Sequence, residues 1–257
     1  MKYFLLLLLL CGTTLHAQQA TYMPANELEF SLGFTVGKWA DEHYAPIAYK
    51  LGGLPLQLEY ARYTRHGHQW AVGGQAQIAT LFVEGNDALE SSLLDLRWSV
   101  AWRWQLLDRQ GLRIWAGPAY EMQSQRVDWE QEDGFSTALA YQNTQHFSAD
   151  LQAVYQLGDW SFGAALEMPL LAYNKRPAYQ VYTDLPDNGN PLFYAKGGTW
   201  QLPDDYLAPE ASVALSYRVS HTFSLRLQYE WQYTEFKTAR RSLQRTQQLN
   251  LGFNFKF

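Results

Sequence analysis

The sequence predicts an all-β fold: a closed antiparallel transmembrane β-barrel of about ten strands, within a range of about 8–12. Apolar and polar residues alternate in blocks of about ten residues, the length that a tilted membrane-spanning strand needs. Short and long connections between these blocks also alternate. Aromatic residues make up 16% of the chain, yet its mean hydropathy is −0.33. This combination favours half-polar strands over apolar helices.

The block from Leu94 to Leu106 shows the alternation most clearly. Its even positions hold leucine, tryptophan and valine, whereas its odd positions include Asp95, Arg97 and Arg103. Successive side chains of a strand point to opposite faces, so one face is apolar and the other is polar. Nine further blocks repeat the pattern, and they begin at Leu28, Leu54, Trp70, Leu112, Phe147, Trp160, Ala211, Phe223 and Leu249.

The connections predict the orientation of the barrel. Outer-membrane barrels have short periplasmic turns and longer outer loops. If both termini are periplasmic, the short connections all lie on the periplasmic side. The short connections are 65–69, 108–111, 158–159 and 220–222. The long ones are near 40–53, 84–92, 127–145, 173–206 and 237–247.

A membrane is the environment that best suits the apolar face of these strands. In a soluble barrel, this face would crowd the bulky side chains of Trp98, Trp102, Trp104 and Trp160 into one small core. In a membrane barrel it meets lipid, and the charged face lines the lumen.

The N-terminus has the features of a cleaved signal peptide. Lys2 precedes the apolar run Leu5–Leu10, and Ala17 is the expected last residue of the signal. We therefore expect a signal at 1–17, a barrel domain at 18–257 and a location in the bacterial outer membrane. Removal of Lys2 changes the formal charge from −5 to −6, which gives no sign of nucleic-acid binding. The only cysteine is Cys11, so the mature chain has no disulfide and no cysteine metal site.

Two segments carry a family resemblance. Gln247–Phe257 alternates apolar residues and ends on phenylalanine, so it resembles the terminal strand of bacterial outer-membrane barrel proteins. That resemblance implies recognition of the strand by the barrel-assembly machinery. The segment from Pro169 to Tyr173, followed by Arg176 and Pro177, resembles small barrel proteins of the Bacteroidetes type. Neither resemblance implies an activity.

The predicted lumen carries seven acidic and six basic side chains. Neither sign dominates, so a network of ion pairs that fills a narrow lumen is favoured over a small porin-like pore for solutes. The predicted lumen residues are Glu29, Glu59, Asp95, Arg97, Arg103, Arg113, Glu121, Asp150, Glu167, Arg218, Arg226, Glu230 and Lys256.

The long stretch 173–206 is the candidate binding element. A connection of this length is usually functional or disordered, and its many aromatic residues argue against simple disorder. We expect a structural or surface-interaction role, with this loop meeting an extracellular ligand; an alternative is that it packs over the barrel mouth. Its candidate binding residues are Lys175, Arg176, Tyr179, Tyr182, Tyr194 and Trp200. Further expected partners are outer-membrane lipid and lipopolysaccharide.

An outer-membrane hydrolase is the remaining alternative. His146, Ser148 and Asp150 share one face of a strand, but neighbours on one strand do not converge as a catalytic triad must. We therefore expect no catalytic residue and no enzyme activity. His66 and His68 lie two residues apart on a turn without a visible third ligand, so no metal and no cofactor is expected.

Overall fold

The structure is a computed structural model that describes residues 25–42, 45–83, 86–130, 137–176, 198–237 and 241–257. The predicted signal peptide lies outside the described residues. The long strands are β1 Asn26–Asp41, β2 Ala45–Tyr63, β3 Gln69–Val83, β4 Asn86–Arg109, β5 Leu112–Glu130, β6 Thr137–Leu157, β7 Trp160–Lys175, β10 Glu210–Arg218, β11 Phe223–Phe236 and β12 Ser242–Lys256, and the two short ones are β8 Thr199–Gln201 and β9 Tyr206–Leu207.

The ten long strands form one closed antiparallel barrel, which confirms the predicted fold and strand number. Each strand pairs with the next along the chain, and the first and last strands close the sheet through pairs such as Phe30 with Phe253. We call the end with the short connections the periplasmic end and the opposite end the outer end, following the expected orientation. Between β7 and β11, the outer part of the wall is interrupted: β8 pairs with β7, β9 pairs with β11, and β10 pairs with both β7 and β11. The predicted loop 173–206 contains strand residues: β7 continues to Lys175, β8 lies at Thr199–Gln201, and β9 begins at Tyr206.

A belt of exposed apolar side chains surrounds the barrel. Leu54, Ile78 and Phe34 are 68%, 71% and 55% exposed, and the same face continues around the other strands. Such a belt is what a transmembrane barrel presents to lipid. Among the described residues, no helix is long and apolar enough to cross a membrane.

The alternation reverses its phase at the outer end of several strands. Lys38 and Lys50 point outward and are exposed, whereas their neighbours Trp39 and Leu51 point inward and are buried. Water surrounds the barrel above the belt, so the apolar side chains there are buried inside the lumen. Seven inward residues form this outer plug: Trp39, Tyr49, Leu51, Ala79, Leu81, Leu93 and Val127.

A glycine allows two strands to approach closely beneath the plug. A Cβ atom on Gly117 would lie 1.9 Å from the backbone oxygen of Trp102, so no other residue fits there. The pairing of β4 with β5 passes from Ala101–Ala119 to Trp104–Ala116 without a register shift. This close approach places Arg103 next to Asp150, the strand partner of Gly117.

Candidate functional site

A layer of amide side chains lies under the outer plug. Gln57 donates to Gln75 at 3.1 Å, and Thr35 donates to Gln248 at 3.1 Å. Gln125 bridges the lumen by donating to Gln244 at 3.0 Å. Amide groups both donate and accept, so such a layer can pair buried polar atoms without net charge. Glutamines on the polar face of the strands were expected to line the lumen, although the predicted set of lumen residues contains only charged ones.

Asp95 is the centre of the next network. Its carboxylate accepts from Gln123 at 2.9 Å, from Gln125 at 3.1 Å and from Arg97 at 3.1 Å. The Arg97 guanidinium also lies 3.6 Å from the carboxylate of Glu210. Asp95 is 1% exposed, and these donors replace the water that a buried carboxylate loses. Glu210 was absent from the predicted lumen set, because the predicted strand began one residue later.

Arg103 on β4 and Asp150 on β6 form a two-bond ion pair along the lumen wall, over Gly117 of the intervening β5. The Arg103 Nε and Nη2 atoms donate to the two carboxylate oxygens at 3.0 and 2.7 Å, and Nη1 donates to Gln69 at 3.0 Å. The two side chains are 7% and 6% exposed. This bidentate geometry is the strongest form of the arginine–carboxylate interaction.

The periplasmic half of the lumen contains a polar cavity of about 320 Å³. Arg226 donates to Glu29 at 2.9 Å in its wall, and Glu59 lines it as an exposed side chain. At the periplasmic rim, Lys256 lies 3.5 Å from Glu27.

Two further predicted lumen residues also lie near the periplasmic end. The Arg113 guanidinium sits 5.6 Å from the centre of the Trp115 ring, a cation–π contact. Arg218 donates to Asp159 at 2.6 Å, and these side chains are 39% and 55% exposed. Arg218 therefore belongs to the periplasmic mouth more than to the interior.

The remaining predicted lumen residues, Glu121, Glu167 and Glu230, lie where the plugged and hollow halves meet. Glu121 is the strand partner of His146. The His146 Nε2 atom lies 3.6 Å from Glu167 Oε1. Donor atoms of Glu121, His146 and Glu167 all lie within 4.8 Å of one another. Glu230 lies in the same region and accepts a hydrogen bond from Gln232.

The structure does not assemble the same-strand constellation of His146, Ser148 and Asp150. Asp150 is held by Arg103, and the Ser148 hydroxyl has no hydrogen-bond partner. His146 approaches carboxylates from the two neighbouring strands instead. His66 and His68 lie on the periplasmic turn, where His68 Nδ1 accepts from the backbone of Gln105 at 3.2 Å.

The ends of the predicted binding loop are fixed to the barrel. Arg176 donates to the buried Asp41 carboxylate and lies 5.6 Å from the centre of the Phe236 ring. The rings of Tyr173 and Trp200 are 5.2 Å apart, with Trp200 62% exposed. Lys175 ends β7. The other predicted binding residues, Tyr179, Tyr182 and Tyr194, lie outside the described residues.

A charged cluster stands at the outer rim of β11, above the apolar belt. Tyr233 donates to Glu235 at 2.7 Å, and Arg241 donates to the other Glu235 oxygen at 2.8 Å. These two donors hold the pKa of Glu235 below its usual value, chiefly through the Tyr233 hydrogen bond.

Comparison with known proteins places the fold. No protein-family model and no curated protein sequence matches the chain. The chain is similar to the outer membrane protease OmpT from Escherichia coli, with a TM-score of 0.61 and 10% identity over 93% of this chain and 99% of OmpT. It also matches the translocator domain of autotransporter NalP from Neisseria meningitidis, with a TM-score of 0.47 and 10% identity over 93% of this chain and 90% of that one.

The resemblance to Bacteroidetes barrels remains a prediction, because neither structure tests it. Because the identity to OmpT is only 10%, the similarity concerns the fold alone. This chain therefore has the fold of a bacterial outer-membrane β-barrel.

Proposed function

We propose that this protein is a non-conducting outer-membrane barrel with a surface-interaction role, exerted by its closed outer end and the loop 173–206. The observation that carries the proposal is the outer plug. Leu81 and Leu93 are 0% and 1% exposed although they point into the lumen. A water-filled pore would leave such side chains hydrated, whereas here they pack against Trp39, Tyr49 and Val127.

The fixed base of the loop supports the surface role. Tyr206 is 2% exposed and packs with Phe236, which anchors the chain where it returns to the barrel. Trp200 and Leu202 stay 62% and 59% exposed beside this anchor. A rigid base presenting exposed apolar side chains loses less conformational entropy on binding than a free loop does. Glycans and protein surfaces are the ligand classes that aromatic side chains suit.

Two cationic side chains support an outer leaflet of lipopolysaccharide as the surroundings. Lys38 and Arg245 are direct strand partners on β1 and β12, and both are exposed on the outer surface just above the belt. Like charges directly opposite one another destabilise a sheet. A lipid phosphate between them removes that repulsion. The doubly substituted Lys38→Ser/Arg245→Ser barrel should therefore retain less lipopolysaccharide on purification, whereas Arg218→Ser at the periplasmic mouth should retain as much as the wild type.

The last strand supports targeting to the barrel-assembly machinery. Phe257 is 62% exposed, and its backbone closes the barrel through two hydrogen bonds with Asn26. Deletion of Phe257 should lower the fraction of heat-modifiable, assembled barrel in cells, whereas Phe257→Tyr should preserve it. Equal assembly after the deletion would remove this partner from the proposal.

Conductance in planar bilayers tests the closed lumen. The wild type should show no stable current steps, and large stable channels would support the narrow-pore alternative instead. To test the loop, residues 183–195 are replaced by a short glycine–serine linker, which leaves β7 and β8 intact. Binding to an array of glycans should be lost in the linker variant. If the wild type and the linker variant bind the array equally, the surface role is contradicted.

The hydrolase alternative has its own screen. Lipid and peptide hydrolysis are measured with the wild type and with His146→Ala. We expect no turnover by either protein; turnover that disappears with His146→Ala would establish an enzyme in place of the proposed role.

A further inference from the structure

We propose that Glu121, His146 and Glu167 bind one divalent transition-metal ion, with Zn²⁺ as the probe of choice. This inference goes beyond the surface role, because it requires only the barrel interior. The three side chains come from three adjacent strands, β5, β6 and β7, and each offers a donor atom within 4.8 Å of the other two.

His146 provides an observation independent of the acidic residues. The residue is 5% exposed, and its Nδ1 atom has no hydrogen-bond partner. Its Nε2 atom lies 3.6 Å from Glu167 Oε1, too far for a hydrogen bond, and that oxygen also lacks a partner. Buried polar atoms are normally satisfied. A cation bound to one nitrogen of this buried ring and to Glu167 Oε1 would give both the imidazole and the carboxylate oxygen a partner.

The surrounding charges also favour a cation. Asp95, Glu121, Glu210 and Glu230 interact electrostatically in this region along with Glu167. Arg97 is shared between Asp95 and Glu210, and Arg103 is held by Asp150. The described carboxylates around His146 therefore outnumber the nearby guanidinium groups, and buried charges need a compensating partner.

The space and the route fit an ion. A small cavity of about 20 Å³ lies against Glu121, His146 and Glu167, large enough for a single water or cation. Glu121 and Glu167 line both this space and the larger periplasmic cavity, which gives a path of entry. Ligands of tetrahedral zinc lie roughly 3–3.5 Å apart, so binding requires the carboxylates to move inward by about 1 Å.

One imidazole nitrogen and two carboxylates are donors that zinc and manganese accept, whereas calcium and magnesium prefer oxygen ligands alone. The ring of Tyr206 packs 6.1 Å from the His146 ring and fixes its orientation. The Ser148 hydroxyl, which has no hydrogen-bond partner, lies beside Glu167. Such a hydroxyl can orient a carboxylate ligand by hydrogen bonding, as outer groups do around metal ligands.

The test is Zn²⁺ titration by calorimetry of the full barrel in detergent after EDTA treatment. We expect one ion per chain, with affinity reduced by more than about 100-fold in His146→Gln and Glu167→Gln, since even outer groups are worth about 10–100-fold. The matched control is Glu27→Gln, which removes a carboxylate at the periplasmic rim and should bind as the wild type does. Unchanged affinity in His146→Gln would overturn the proposal.

A second measurement uses only the wild-type protein and so does not depend on whether the variants fold. Co²⁺ bound to nitrogen and carboxylate ligands in a four- or five-coordinate site absorbs visible light more strongly than the hexahydrated ion. We expect an intense band that reaches its maximum at one equivalent and disappears on addition of Zn²⁺. A spectrum identical to that of free Co²⁺ in the detergent buffer contradicts the site.

Discussion

The two halves of the lumen are built in opposite ways. The outer half is filled by the apolar plug of Trp39, Tyr49, Leu51, Ala79, Leu81, Leu93 and Val127. The periplasmic half holds a polar cavity of about 320 Å³. The same strands pass through both halves, so strand identity does not explain the difference.

The surroundings of the barrel explain the difference. Within the belt the outer surface meets lipid, so apolar side chains point outward and polar ones point inward. Above the belt the outer surface meets water and polar headgroups, so Lys38 points outward and Trp39 inward. Each strand is therefore a membrane strand for part of its length and a soluble strand for the rest. The 24 residues of β4 and the 21 of β6 exceed the roughly 9–11 that a membrane crossing needs.

The largest expected effect of a single substitution lies in the wall of the periplasmic cavity, which Arg103 and Asp150 line. Asp150→Ala leaves the buried Arg103 guanidinium without its counter-ion, and we expect a loss of about 3–5 kcal/mol in unfolding free energy. The measurement is urea unfolding in lipid vesicles. The matched control is Arg218→Ala, because the Arg218–Asp159 pair is 39% and 55% exposed and should be worth only about 0–1 kcal/mol.

A double variant sharpens this result. Arg103→Met with Asp150→Leu removes both charges and should recover most of the stability, since an apolar pair can replace a buried ion pair. If the double variant is as unstable as Asp150→Ala, unpaired charge is not the cause of the loss.

The next effect compares the plug with the lipid-facing wall. Leu81→Ala should cost about 2–5 kcal/mol, because it removes apolar contacts and leaves a cavity. Leu58→Ala changes the same side chain on the lipid-facing surface, where Leu58 is 53% exposed and lipid fills the space. The loss there should be smaller by the cavity contribution. Equal losses in vesicle unfolding would show that the outer plug is not close-packed.

The barrel itself was predictable because alternation is a local signal. In Leu94–Leu106 the alternation itself indicates which side chains share a face. In the structure this block pairs with β3 and β5. The plug had a local signal too: apolar residues become adjacent, as in Leu93–Leu94, where one side chain faces inward and the other outward. The predicted blocks end before this reversal, at Val36, Ile78 and Leu94 for example, so the plug was not predicted.

The candidate metal cluster could not be predicted from the sequence. Glu121, His146 and Glu167 are distant in sequence and meet only through the cross-strand register, which depends on the bulge between Phe147 and Ser148 where β6 pairs with β7. A shift of one residue would send His146 to the lipid-facing side. From the sequence, His146 could be placed only beside Ser148 and Asp150, because residues two apart on one strand share a face whatever the register of the neighbouring strands.

The smallest expected effect lies at the outer rim and is pH dependent. The pKa of Glu235 is lowered by the Tyr233 hydrogen bond and by Arg241, so the folded state favours the ionised carboxylate. Its contribution to stability is complete above the unfolded pKa of about 4.3 and is lost as the pH falls through the lower, folded pKa. Arg241→Gln should move the Glu235 titration upward, toward its ordinary value, as followed by carbon NMR of the side-chain carboxyl. The control is Arg126→Gln, which breaks the exposed pair with Asp128 on β5 and should leave the Glu235 titration unchanged. If both variants move it equally, the shift arises from the general charge of the outer rim, and the specific Arg241 contact has no part in it.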